Sequence, residues 1–206
     1  MNLQTENYFT IGRWTRATFR GWLLGVVFII AFSSLLDSIG IEGAQFYLGL
    51  AGAGVGFTQW LLLKKFTTIS RKWIWFSTTG MSIPFIVLDI VAPHAFTYRL
   101  PLGVVLGALL SGLLQFMILK HHSPKATVWI WGSVAGWTLA ILAVVAVEYT
   151  KHLAPYVRYN LILALINLVL ILSGGIILGI ITGSVLKKIL KGGSLYKTAE
   201  AIPESV

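Results

Sequence analysis

The chain has 206 residues, of which 56% are hydrophobic and only 11% charged, and its mean hydropathy is +0.82. A soluble domain carries about 25% charged residues, so lipid is the expected solvent around most of this chain. The absence of cysteine removes disulfides, thiolate metal ligands and cysteine nucleophiles, and the net charge of +9 sits at segment ends, which suits membrane orientation better than nucleic-acid binding.

The chain opens on a polar arm, residues 1–12, expected to be cytoplasmic. Arg13, Arg16 and Arg20 lead into an apolar run from Gly21 to Leu36 with small residues at Ala31 and Ser33, the layout of a secretory signal. A recurring spacing argues against cleavage: seven residues separate Trp14 from Gly21, Trp73 from Gly80 and Trp129 from Gly136. The first apolar run therefore reads as a retained helix. Membrane helices need about 20 apolar residues, and six segments qualify: 18–38, 44–63, 73–92, 100–119, 128–147 and 161–186. Helix is forced there, because each unpaired backbone group in hydrocarbon costs several kcal/mol. Pro84 is expected to kink the third helix near Thr79–Gly80. The sixth is the longest and is expected to tilt or kink at Gly174–Gly175. Residues 192–206 read as a polar cytoplasmic tail without fixed structure.

Charge sets the expected orientation. Arg13, Arg16 and Arg20 precede the first helix, and Lys64, Lys65, Arg71 and Lys72 fill the link between the second and third. Lys120 and Lys125 lie between the fourth and fifth, and Lys187, Lys188, Lys191 and Lys197 follow the sixth. Thirteen of the sixteen Lys and Arg residues thus share one side, leaving Arg99, Lys151 and Arg158 on the other. The positive-inside rule then places both termini in the cytoplasm.

The chain repeats itself. G-F-T-Q-W-L-L-L-K-K from Gly56, followed by W-I-W-F-S-T-T-G from Trp73, returns as G-L-L-Q-F-M-I-L-K-H from Gly112 and W-I-W-G-S-V-A-G from Trp129. Gln59 and Gln115 each lie fourteen residues before the tryptophan that follows the link. The predicted fold is therefore an all-α membrane domain over residues 13–191, built as three tandem two-helix hairpins of parallel orientation (about 14–66, 73–122 and 129–191). In the third, Leu186 stands where the others have glutamine. Glycine pairs four apart, such as Gly21/Gly25, Gly52/Gly56 and Gly132/Gly136, provide close-packing faces, because lipid supplies no hydrophobic force between helices. Trp14, Trp60, Trp73, Trp75, Trp129 and Trp131 gather near the basic boundary and read as interfacial anchors, with an aromatic ligand cage as the alternative.

Three carboxylates fall near the outer ends of the odd helices: Asp37, Asp89 and Glu148, which lie 16, 9 and 12 residues past Gly21, Gly80 and Gly136. At 100° per residue they point about 160°, 180° and 120° round their helices, roughly one face. They could ring a vestibule that attracts cations or accepts protons, or simply be wetted helix ends. Gln59 and Gln115 could contact a polar solute or act as hydrogen-bond glue between hairpins. Histidines at 94, 121, 122 and 152 show no ligand spacing, so no metal is expected. Gly52–Gly56 reads G-A-G-V-G inside an apolar helix with no strand before it, so no cofactor phosphate site is expected either.

The pattern Q-W-x-x-L, a basic link, then W-I-x-x-S-x-x-G-W resembles a repeat found in uncharacterised bacterial multi-pass membrane proteins. Gln59, Trp60, Leu63, Trp73, Ile74, Ser77 and Gly80 carry it, then Gln115, Phe116, Leu119, Trp129, Ile130, Ser133, Gly136 and Trp137, with Met81 in place of the final tryptophan in the first instance. The resemblance implies a multi-pass protein of a bacterial inner membrane and brings no activity with it. The layout of three helix pairs is also similar to that of mitochondrial carriers, but Pro84 is not followed by their acid and base. The expected function is a non-enzymatic scaffold or accessory subunit of a membrane complex, with the bilayer and another membrane protein as partners and no nucleic acid. The alternative is a small transporter or channel with an acidic outer mouth.

Overall fold

The computed structural model describes residues 9–41, 45–91, 98–150, 152 and 160–191. Among them the chain is all helical: α1 (Ile11–Ser38), α2 (Leu50–Leu63), α3 (Lys72–Val91), α4 (Arg99–Leu119), α5 (Val128–Thr150) and α6 (Asn160–Lys191). A 3-10 turn at Phe46–Gly49 leads into α2 and another at Pro124–Thr127 into α5. Counting the turns with the helices they open, six helices are long and apolar enough to cross a membrane, so the fold suits an integral membrane protein. The tail from residue 192 and the first eight residues of the arm lie outside the described residues.

Helix α1 starts earlier than expected. The Thr10 hydroxyl accepts the Arg13 backbone N–H at 3.2 Å and caps the helix, and Phe9 is buried against Trp14 and Phe66. The end of the arm is thus packed structure. At the other end of α1, Gly40 takes φ +77°, which lets Ile41 N–H reach Leu36 C=O at 3.0 Å and Gly40 N–H reach Asp37 C=O at 3.2 Å. That closure satisfies carbonyls the helix would otherwise leave open.

Each helix packs mainly on its two neighbours in sequence, and α6 closes on α1 to complete a ring of six. Neighbours run antiparallel: a Cβ on Gly25 of α1 would meet Ala51 of α2 at 2.9 Å, while one on Gly21 would strike Gly54, Val55 and Thr58, further along α2. The same close approach recurs between Gly80 and the Ser111 backbone, where any Cβ would overlap. Helix α3 continues through Pro84, and α6 is unbroken at Gly174–Gly175. The glycine pair in α6 makes room for Trp22: a Cβ on Gly175 would lie 2.8 Å from the Trp22 Cβ. The indole N–H of Trp22 then donates to the Ile171 carbonyl at 3.0 Å.

Candidate functional site

The centre of the ring divides into three levels. At the basic end the indoles of Trp14, Trp73 and Trp129 converge, all fully buried, with ring centroids 6.2 Å apart for Trp14–Trp129 and 5.4 Å for Trp73–Trp129. Leu63, Leu119, Leu186 and Ile189 pack round them. This corrects the reading of all six tryptophans as boundary anchors. In W-I-W, residues two apart point about 200° round a helix. Trp73 and Trp129 therefore face inward while Trp75 and Trp131 face outward, each 68% exposed.

Above the tryptophans lies a belt of polar side chains. Gln59 Nε2 donates to the Thr18 hydroxyl at 3.2 Å, and Gln115 Nε2 to the Ser77 hydroxyl at 2.7 Å. Thr18 and Ser77 sit four residues after Trp14 and Trp73, so both glutamines reach back to the same register of the preceding helix. Gln115 Oε1 also accepts the Trp129 indole N–H at 2.8 Å. The Trp73 N–H has no such partner among the described residues, although Gln59 stands in the corresponding place. Where α6 carries Leu186, one turn earlier Thr182 accepts the Trp14 N–H at 2.9 Å. Ser133 donates to the Ala108 carbonyl at 3.1 Å. The gap left in this belt is about 10 Å³, the lower limit for one water molecule. Both glutamines thus bond to a neighbouring helix.

Beyond the belt the ring widens into a chamber of about 310 Å³. All six helices contribute to it, among them Trp22, Val26, Met81, Phe85, Val104 and Ile141, and no lining side chain is ionisable. A cavity half that size lined by similar residues stays dry and admits small apolar molecules. Trp137 lines both chamber and belt, tilted against Trp22 with centroids 5.9 Å apart.

The three predicted acids have different surroundings. Asp89 forms an ion pair with Arg99, the first residue of α4, which is 3% exposed. Its other oxygen accepts the backbone N–H groups of Gln45 at 2.9 Å and Phe46 at 2.7 Å. Asp89 therefore fastens α3, α4 and the entry to α2 together. Asp37 and Glu148 lie at exposed positions near the ends of α1 and α5. Among the described residues no three acids or histidines come close enough to share a metal ion. Arg99 was legible as a partner, since only a short link separates it from Asp89; the chamber was not, because nothing in an apolar helix marks which of its faces leaves space.

No family model matches the chain, and no curated protein or solved structure is significantly similar to it.

Proposed function

We propose that the protein is a non-enzymatic integral membrane component, a scaffold or accessory subunit for another membrane protein, with its basic end and both termini in the cytoplasm. On this reading the ring is three like-oriented hairpins, α1/α2, α3/α4 and α5/α6, and the protein acts through its outer surface. The observation that carries it is the character of the two surfaces. Among the described residues, buried indoles and a largely hydrogen-bonded polar belt fill the basic end of the interior, and the chamber beyond has no ionisable side chain in its lining. The outside presents large apolar side chains such as Ile90, Val91, Leu161 and Val169, all more than 60% exposed, which lipid or a partner helix must cover. Transport has weaker support, since Asp89 already holds Arg99 and two backbone amides.

The absence of cysteine makes the orientation directly testable. Lys64→Cys and Lys120→Cys should be labelled by an impermeant maleimide from the cytoplasmic side, and Tyr98→Cys from the opposite side. Labelling of Lys64→Cys and Lys120→Cys from different sides refutes the three like-oriented hairpins. For the role, a photo-crosslinker at Ile90 or Val169 in native membranes should give one discrete protein adduct. A chain that crosslinks only to lipid, and carries ions or protons into liposomes in a manner abolished by Asp89→Asn, is a transporter instead.

A further inference from the structure

The basic residues are not spread evenly round the ring. Arg13, Arg16 and Arg20 of α1 lie at steps of three and four, one face of the helix, and that face meets Lys64 and Lys65 just past the end of α2. Between them run two adjoining hollows of about 360 and 370 Å³ that share Ala17, Arg20, Leu62 and Lys65. Arg16, Arg20, Lys64 and Lys65 line the combined groove together with Arg13, and no acid does so among the described residues. Crowding like charges this closely is unfavourable until an anion enters, and guanidinium groups present paired donors matched to phosphate oxygens.

The helical architecture does not require this charge. With Trp14, Trp73 and Trp129 in register, the positions of Arg13, Arg16 and Arg20 are filled in α3 by Lys72, Trp75 and Thr79, and in α5 by Val128, Trp131 and Ala135. Two other helices thus occupy the same place with at most one cation. Where they set an outward indole, α1 sets Arg16. The floor of the groove is apolar, through Leu61, Leu62 and Phe66. Directly further along the two helices, Leu23, Val27 and Phe57 are exposed. A cationic pocket continuing into an exposed apolar track matches a molecule with an anionic head and a hydrocarbon tail.

We propose that the α1/α2 groove seats the phosphate headgroup of an anionic phospholipid, whose acyl chains lie along Leu23, Val27 and Phe57. The proposal rests on the reading that places the basic end at a membrane surface. Basic pockets between membrane helices at the cytoplasmic face suit such headgroups. Arg16 and Arg20 make the main contacts, and Lys64, held 4.7 Å from the Trp60 ring centroid, lends further charge at the rim.

The test uses the full chain in nanodiscs of mixed phosphatidylglycerol and phosphatidylcholine, released into mild detergent for native mass spectrometry. Wild-type protein should retain phosphatidylglycerol selectively. Arg16→Gln with Arg20→Gln should lower that retention by roughly 5-fold per arginine, whereas Lys187→Gln with Lys188→Gln, on another part of the basic end, should leave it unchanged. Arg16→Lys with Arg20→Lys keeps the charge and the fold, and should give an intermediate loss because the paired donors are gone. Excess inorganic phosphate should not displace the lipid. Equal losses in both neutralised pairs would show diffuse attraction, and displacement by phosphate would show a soluble-anion site. Either result overturns the proposal, as does retention of both lipids alike. Cysteine labelling of the two faces reports on orientation independently, so a groove that fails to bind lipid leaves that reading standing.

Discussion

The two ends of the ring are held by different physics. At the basic end, three indoles and two glutamines fill the axis, and most of their polar atoms find partners on a neighbouring helix. At the opposite end apolar side chains, Trp22, Phe85 and Trp137 among them, line an open chamber, and beside it Asp89 is ion-paired with Arg99. A network of neutral groups tolerates loss of one member better than a largely buried ion pair does. Removing one partner from a buried pair leaves the other charge desolvated, while a lost neutral bond costs only one group's desolvation. The difference predicts where the molecule breaks first.

The largest effect is expected at Asp89. Asp89→Ala takes the carboxylate from Arg99 and from the Gln45 and Phe46 amides at once, and should cost about 3–5 kcal/mol, read from unfolding by denaturing detergent. Asp89→Asn keeps an acceptor for the two amides and should cost clearly less. Equal losses would mean that the backbone contacts contribute nothing and the charge everything.

The basic end offers a finer comparison, between Trp129 and Trp73. Both are fully buried, but among the described residues the Trp129 N–H has an acceptor, Gln115, and the Trp73 N–H has none. Phenylalanine removes similar volume at each place. Trp129→Phe should therefore cost more than Trp73→Phe by about 1–2 kcal/mol, the penalty of leaving Gln115 Oε1 unpaired. Should the two variants unfold together, the polar belt is packing alone. Adding Gln115→Leu to Trp129→Phe should recover part of the loss, because both members of that bond are then apolar and Ser77, although it loses Gln115, keeps its bond to the Trp73 carbonyl.

How much of this was legible depends on the range of the interaction involved. The six apolar segments came from local composition, and the structure moves most of their ends by only a few residues. The start of α1 was hidden because Arg13, Arg16 and Arg20 make its first turns look like a polar flank, although Trp14 and Thr18 on the other face point inward. The W-I-W phrases held enough information to separate inward from outward rings, since residues two apart cannot share a face. Gly174–Gly175 is different in kind. Its neighbour Trp22 lies some 150 residues away, and no local pattern distinguishes a glycine that makes room from one that lets a helix bend. Asp89 was seen as an acid near a mouth, and only tertiary placement turned it into the fastening of three elements.

The smallest effect separates the chamber from the belt on a single helix. Val104 and Ala108 are one turn apart on α4, and both are buried. Val104 lines the chamber, while Ala108 packs where its carbonyl receives Ser133. An added methylene at Val104 has space to enter, so Val104→Leu should change stability by less than about 1 kcal/mol. Ala108→Val pushes into filled volume between α4 and α5, and should cost about 1–3 kcal/mol. Melting temperature in mild detergent resolves a difference of this size. Equal penalties at the two positions would mean that the chamber walls close up under thermal motion, and that the opposite end is packed as tightly as the basic one.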